Sequence, residues 1–521
     1  MNKPRARLLV AAALSALLAL FLGAFLIVNV RGFVRFCDAD MQADVQVASL
    51  MREQGTLFPD NWIFGNQFYV AATPVLCALL MRVVPSPNLA MGLSTTIMGA
   101  LVLLSALYLL RPFTGKTARL FALVTLAAGI ACENIAVSRI GQLFFLMASY
   151  YACYVVTAFL VYGVWLRLRF TPSRRRAWAM APVALALSFA MGMQSLRQTQ
   201  VMVLPLLLVE AICFARDAAR RRPKRLGPAA FALLAAAANM LGLLAIRALS
   251  PEQRTLYDSF PTDFTVPLTQ RVGSFLSAFG DAAGLTSGGA LSPLPVLLPA
   301  LLLLLLTLLD LALQALRPRG ERAIFAAQGL CLLGVLGVLP ATFLSSFVMR
   351  STYLFMYYPL AALCLCDLAI RAAGRARIAL SGALCLIALV NFTTGVLPCV
   401  RASFSTEKTD AMRIADWMAE NDYDVLYGYW WDVGRVLAAA DGRVQGSGWI
   451  ARPLQVQPYI TLTDVYGEDL CDWAIYMLRE EDREEVFATA EEMGAVLTEQ
   501  ARIGKYALYT SDFPLMYYAD R

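Results

Sequence analysis

The chain has 521 residues, 59% of them hydrophobic and 16% charged, with mean hydropathy +0.61 and formal net charge +7. Soluble globular domains run at about 45–50% apolar and 25% charged, so an ordinary soluble globule is excluded and a polytopic membrane protein is expected. The sequence has no histidine, which rules out a Ser-His-Asp triad, a histidine zinc site and a histidine proton relay.

Any general base must therefore be Asp, Glu, Lys, Tyr or Cys, and a carboxylate is the usual choice. The eleven cysteines form no matched Cys-x-x-Cys pairs, and Cys364-Leu365-Cys366 reads as small core residues of an apolar helix. No thiol-held cofactor or metal cluster is expected, and no nucleic-acid partner. Charge is unevenly divided: residues 1–400 hold 33 Lys and Arg against 15 Asp and Glu, whereas residues 401–521 hold 11 against 22. The last stretch is expected to be a separate, acidic, water-facing domain.

In chain order, Lys3, Arg5 and Arg7 precede an apolar run to Val30 that is long enough for a ~30 Å hydrocarbon core and lacks a small-residue cleavage site. It predicts an uncleaved first helix with a cytoplasmic N-terminus. Further apolar runs fall at 90–110, 120–136, 142–166, 177–195, 200–215, 228–248, 292–316, 323–347, 352–370 and 378–398. With the first they predict about eleven transmembrane helices in a unit over 1–400, followed by a small α/β domain over 401–521. Basic clusters at 111–119, 167–176, 216–225, 317–322 and 371–377 mark cytoplasmic turns. The segment 69–84, short and interrupted by Pro74, is expected to be re-entrant or interfacial, which leaves 31–89 as one outer loop and the C-terminal domain outside. Glu210, Asp310 and Asp367 lie near predicted cytoplasmic ends with arginines downstream, so snorkelling or local pairing accounts for them; Asp367 stands four residues before Arg371.

Three arginines stand singly at outer helix ends: Arg139, Arg197 and Arg350. Their planar, permanently charged forks match phosphate oxygens. A second outer loop, 249–290, ends in a glycine-rich segment without the Lys-Ser or Lys-Thr of a phosphate loop, and is expected to be a mobile flap. In the C-terminal domain DAMRIADWMAEN predicts a helix, DVLYGYWW a strand, DVGRVLAAADG a helix, RVQGSGWI a strand, REEDREEVFATAEEMG a helix and AVLTEQARIGKYALYTSD a terminal hairpin.

The stretch 31–68 carries five carboxylates, Asp38, Asp40, Asp44, Glu53 and Asp60, directly after the first span. From Asp40 onward, Val45, Ala48 and Met51 share one helical face and Gly55 supplies a stop, so an amphipathic helix lying on the membrane surface with Asp40 at its N-terminus is expected.

This layout, one span, an outer Asp-led loop, many spans and an outer soluble domain, resembles the GT-C superfamily of polyprenyl-phosphate-dependent glycosyltransferases, which includes the aminoarabinose transferases and protein mannosyltransferases. Asp40, Met51 and Gly55 match the spacing of that family's loop, as Arg350, Tyr353 and Pro359 match its late Arg-Tyr-Pro feature. Met41 stands where the family has its second acid, leaving Asp38 or Asp44 as substitutes, and only Thr73-Pro74 answers to its Lys-Pro-Pro segment. The resemblance implies a GT-C-like fold and transfer from a polyprenyl-phosphate sugar to a hydroxyl of a glycan, lipid or protein acceptor, at the outer face of a bacterial cytoplasmic membrane. It implies Asp40 as base in an inverting reaction, with Asp38 and Asp44 in reserve, and Arg350, Arg197, Arg139 and Tyr353 at the donor phosphate. Some relatives use a divalent metal, which leaves Asp38 and Asp40 open as its ligands. A flippase or other transporter of a lipid-linked substrate is the alternative reading.

Overall fold

The computed structural model describes residues 3–65, 67–129, 139–172, 174–221, 225–249, 267–316, 322–340, 349–450, 452–455, 460–466 and 474–516. Its helices are α1 (Lys3–Arg31), α2 (Ala39–Gln54), α3 (Thr73–Leu80), α4 (Pro87–Leu110), α5 (Lys116–Ala128), α6 (Ala152–Phe170), α7 (Arg175–Gln194), α8 (Leu204–Ala219) and α9 (Leu226–Leu249). There follow α10 (Leu268–Ala282), α11 (Leu294–Leu316), α12 (Arg322–Leu336), α13 (Tyr357–Arg371), α14 (Gly374–Asn391), α15 (Asp410–Glu420), α16 (Trp430–Ala440) and α17 (Glu480–Glu492). Among the described residues eight helices are long and apolar enough to cross a membrane. Of the eleven expected runs, those at 120–136 and 323–347 are described only in part, as α5 of 13 residues and α12 of 15, with 130–136 and 341–347 outside the described residues, and at 200–215 the π-helical turn Thr199–Val203 continues into α8.

Two helices form the axis of the bundle. Apart from Leu160 and its last residue, α6 is buried along its length, and α13 is buried from Tyr357 to Ala369; α1 and α11 instead leave leucines such as Leu8, Leu298 and Leu305 outward. In lipid no hydrophobic force draws one helix to another, and close backbone approach must supply the attraction. Glycine supplies it here: a Cβ on Gly92 of α4 would lie 2.0 Å from the Asn29 carbonyl oxygen of α1, and one on Gly192 of α7 would lie 2.0 Å from the Asn239 carbonyl oxygen of α9. The Asn239 side chain then bridges, accepting from the Thr199 hydroxyl at 2.6 Å and donating to the Ser188 carbonyl at 3.0 Å.

The buried acids of the later helices are paired, as expected. Asp367 meets Arg371 one turn on, and Gln314 and Gln328 donate to Asp367 and Asp310 at 2.7 and 2.6 Å. Glu210 accepts from Arg169 at 3.1 Å and from the Trp165 indole at 2.8 Å. Asp367–Arg371 is local to α13, whereas the other pairs cross between helices.

The C-terminal elements form a five-stranded mixed sheet. Its strands are β4 (Val425–Tyr429), β5 (Gln445–Trp449), β7 (Ala474–Arg479), β8 (Leu497–Ile503) and β9 (Tyr506–Ser511), in spatial order β5-β4-β7-β9-β8. β4 is parallel to β5 and β7, and α16 makes the crossover from β4 to β5; β9 runs antiparallel to β7 and β8. A smaller pair ties this domain to the acidic stretch: β1 (Trp62–Ile63) runs antiparallel to β6 (Thr461–Leu462).

Several expectations are corrected. The run 142–166 is not one helix: a short helix Arg139–Phe144 ends, the chain turns, and α6 starts at Ala152. Met147 and Ser149 adopt positive φ (57° and 49°) in that turn, and the Asn29 side chain holds the Met147 amide at 2.9 Å. The described part of the expected flap is ordered, with α10 followed by a hairpin of β2 (Thr286–Ser287) and β3 (Ala290–Leu291), while 250–266 lie outside the described residues. Trp430 and Trp431 open α16 and do not extend the strand, and β7 was not expected at all. Segment 69–84 forms the 8-residue α3, too short to cross.

Replacing Gly92 with Leu is expected to lower the melting temperature of the detergent-purified protein, by overpacking worth about 1–3 kcal/mol or more. Gly23→Leu, where nothing lies within 4 Å of the added Cβ, serves as the tolerated control.

Candidate active site

The site is built on α2. Asp38 is its N-cap: one carboxylate oxygen accepts the Met41 amide at 2.9 Å. Asp40 lies in the first turn, near the positive end of the helix dipole. Gly55 closes the helix in the left-handed region (φ 68°), where its amide reaches the Met51 carbonyl at 3.0 Å. The cap is thus two residues before the expected start, and the helix is not laid on a membrane surface. Met41, Gln42, Ala43, Asp44 and Val45 are all buried, because α3, α4 and α16 enclose the helix.

The enclosure from the C-terminal domain is tight. A Cβ on Gly434 of α16 would sit 2.3 Å from the Ala39 Cα, so only glycine lets the two helices meet there. The Asn88 side chain donates to the Ala438 carbonyl at 2.6 Å and the Asn88 amide to the Asp441 carboxylate at 3.0 Å, fixing the other end of α16 to the start of α4. Asn61 donates to Asp464 at 2.5 Å beside the β1–β6 pair.

Asp40 and Asp44 are one turn apart on a single face. Asp40 is half-buried; burial, with Asp38 adding to it, raises its pKa to about 6, and the Arg350 guanidinium beside it pulls in the opposite direction. Asp44 is 2% exposed and is pushed up to about 8 by burial, against a hydrogen bond from the Tyr69 hydroxyl; Asp40 and Asp38 raise it further. Asp38 is also raised, chiefly by burial, while the Met41 amide and Arg435 of α16 act to lower it. The Tyr150 phenol faces the same group: burial and then Asp38, Asp40 and Asp44 lift it well above its ordinary value.

The arginines separate into two settings. Arg350 is exposed and precedes the 3-10 turn Ser351–Leu354, next to Asp40. Arg197 is 6% exposed inside an aromatic box, its guanidinium carbon 4.6 Å from the Tyr151 ring, 5.5 Å from Tyr154 and 5.4 Å from Tyr353. Gln67 joins the box to the acidic stretch by accepting from the Tyr154 hydroxyl at 2.8 Å and from Arg197 at 3.5 Å. Gln194 accepts from the Val70 and Ala71 amides at 3.3 and 3.2 Å, and its carbonyl from Phe68 at 3.0 Å, which straps this segment to the end of α7. The structure brings Asp38, Asp40 and Asp44 together, sets Arg350 against Asp40, and sets Tyr353 against Arg197. Arg139 opens a short helix, but its side chain lies outside the described residues.

Sequence reasoning missed Tyr69, Tyr150, Tyr151, Tyr154, Gln67 and Arg435. Tyr151 and Tyr154 share a helical face, a signal hidden in an apolar run assumed continuous. Arg271 of α10, 6% exposed, was missed because 249–290 was expected to be a flap and not a helix. As for a metal, Asp38 commits an oxygen to the helix cap, and among the described residues no group of three His, Cys, Asp or Glu side chains is placed to hold an ion. Asp38 and Asp40 alone do not make a coordination sphere.

The chain folds as a many-helix membrane bundle with an enclosed acidic helix at one end and a soluble sheet domain seated on it. This is the fold of ArnT from Cupriavidus metallidurans: the apo structure is similar over 97% of this chain and 99% of that one, with TM-score 0.60 and 11% identity. The structure of the same protein bound to undecaprenyl phosphate is similar over 94% and 97%, with TM-score 0.57 and 13% identity. No protein-family model and no curated protein sequence matches the chain.

Asp44 carries a pH signature. An unfolded aspartate ionises near pH 3.9, whereas this one holds its proton to about pH 8. Its contribution to stability is full below about pH 4 and is lost as pH rises through about 8. Melting temperature is therefore expected to fall between pH 5 and pH 8, and the fall to be smaller in Asp44→Asn, as thermal scans across that range would register.

Proposed function

We propose that the chain is a glycosyltransferase that moves a sugar from a polyprenyl-phosphate donor to a hydroxyl of a glycan, lipid or protein acceptor. The observation that carries this reading is the juxtaposition of Asp40, half-buried and raised to about 6, with the Arg350 guanidinium, beside the aromatic box that holds Arg197. A base and fixed positive charge are what displacement of a phosphate from a sugar requires. The GT-C fold, and the binding of undecaprenyl phosphate by a protein of the same fold, support the choice of donor.

In this mechanism the acceptor hydroxyl gives its proton to the Asp40 carboxylate as its oxygen bonds to the anomeric carbon. The bond from that carbon to the phosphate oxygen breaks, and its electron pair leaves with the polyprenyl phosphate. Attack from the face opposite the phosphate inverts the anomeric centre. Arg350 and Arg197 balance the charge growing on the leaving phosphate, with Tyr353 packed against Arg197, and Arg139 is assigned to the same phosphate from the sequence alone. Asp44, protonated at neutral pH, keeps a second negative charge away from Asp40, and Asp38 fixes the start of the helix. A base near 6 is ionised at neutral pH yet more basic than an ordinary aspartate, the balance that favours proton transfer. No step runs through a metal.

Residues 1–400 act as the transmembrane unit and 401–521 as the domain that seats the acidic helix. In this reading the chain sits in a bacterial cytoplasmic membrane with its N-terminus in the cytoplasm and the acidic end outside, an orientation that the five basic turns support.

Two substitutions test the reading in the purified protein supplied with a panel of polyprenyl-phosphate sugars. Asp40→Asn is expected to cut release of free polyprenyl phosphate by about 10²–10⁴-fold with an unchanged melting profile. Undiminished release in that variant, or movement of the lipid with no bond broken, sinks the assignment and favours a transporter. The rate should also fall as pH drops through about 6. Because Arg350 lowers the Asp40 pKa, Arg350→Gln should move that acid limb to higher pH as well as slow the reaction.

A further inference from the structure

The far end of the bundle holds a second feature. The C-terminal turns of α4 and α6 and the first turns of α7 enclose an open cavity of about 910 Å³ whose lining includes three arginines and no carboxylate. Arg167 is structural: it donates to the Gly163 carbonyl at 2.8 Å and to the Tyr108 carbonyl, and lies 3.7 Å over the Tyr108 ring. Gly163 makes room for this stack, since a Cβ there would lie 2.8 Å from the ring and 3.2 Å from the Arg167 Nη1. The other two, Arg111 and Arg176, are exposed, and among the described residues neither forms an ion pair. The Tyr108 hydroxyl is buried with no hydrogen-bond partner among the described residues. Leu104 and Leu107 form an apolar wall, and Leu104 is 58% exposed on the lipid-facing side of α4.

We propose that this cavity binds an anionic glycerophospholipid of the leaflet at the basic end of the bundle. Arg111 and Arg176 hold its phosphate, and one acyl chain runs along Leu104 and Leu107. Charge complementarity selects the ligand. Two exposed guanidinium forks, unopposed by any acid in the lining, suit a phosphate diester, and basic pockets between transmembrane helices at this depth take lipid headgroups. The cavity is not the donor site. α4 starts beside the C-terminal domain and ends here, and its 24 residues span roughly 36 Å at about 1.5 Å each, a membrane thickness from Asp40. The inference stands whether or not the chain transfers sugars.

The test measures lipid binding and melting temperature of the full-length protein in neutral detergent, with phosphatidylglycerol, phosphatidylcholine, polyprenyl phosphate or inorganic phosphate added. Phosphatidylglycerol is expected to bind and raise the melting temperature, phosphatidylcholine and inorganic phosphate to leave it unchanged, and polyprenyl phosphate to act equally on the wild type and on the arginine variant below, as a ligand of the opposite end of the bundle would. In the double variant Arg111→Gln/Arg176→Gln, affinity for phosphatidylglycerol should drop about thirtyfold, two interfacial cations' worth, and Arg176→Gln alone should weaken it less. If the double variant does not fold, Arg176→Gln alone decides. Equal response to phosphatidylcholine, a response to polyprenyl phosphate or inorganic phosphate only, or wild-type affinity in the variants overturns the proposal.

Discussion

The close approach of Gly434 to Ala39 is the contact on which the rest of the acidic end depends. It brings α16 within backbone distance of the first turn of α2, and α16 is held in turn by the parallel strands on either side of it. Asn88 and Asp441 fasten the far end of α16 to α4, so one soluble helix bridges the acidic helix and a membrane helix. The β1–β6 pair adds a backbone connection after the acidic helix has ended. A domain that by composition could stand alone in water is therefore part of the wall around the carboxylates. Without it the buried face of α2 would meet water, and the burial that raises Asp40 and Asp44 would be lost.

Burial of three carboxylates within two turns is costly, since each would rather ionise in water. The structure offsets the cost in a different way for each. Asp38 takes the Met41 amide and the field of Arg435. Asp44 keeps its proton and a hydrogen bond from Tyr69. Asp40, between them, is opposed by Arg350. The division turns three like residues into one cap, one neutral acid and one carboxylate able to change charge near neutrality. Arg197 is handled similarly, with aromatic faces and Gln67 taking the place of water.

Much of the membrane architecture is legible in the sequence, because lipid imposes long apolar runs and the basic turns between them stand out. The places where it misleads have specific causes. The run 142–166 is apolar throughout, but its turn depends on Asn29, more than a hundred residues earlier, capturing the Met147 amide. β7 is a continuous apolar run buried on both faces, which periodicity cannot separate from a helix. Trp430 and Trp431 favour a strand by propensity, yet the ladder ends at Tyr429 opposite Trp449, and Asp432 suits a helix first turn. Of the candidate site, the acids and the outer arginines can be picked out by charge alone. The tyrosines that surround them cannot, because Tyr69, Tyr150, Tyr151 and Tyr154 acquire their setting only from the crossing of segments distant in sequence.

The absence of histidine then takes on a physical meaning. Histidine is the side chain whose ordinary pKa lies near 6.5, and a chain without it must bring another group into that range if it is to move protons at neutral pH. Burial lifts Asp40 by about two units to about 6, close to where an imidazole would titrate, but with the opposite charge type: the active form is the anion. An anion can sit beside Arg350 with mutual stabilisation, whereas an imidazolium formed during the reaction would repel it. For the proposed transfer, a carboxylate tuned by enclosure is thus better matched than histidine to a site that also carries guanidinium groups. The enclosing α16 contact supplies that tuning.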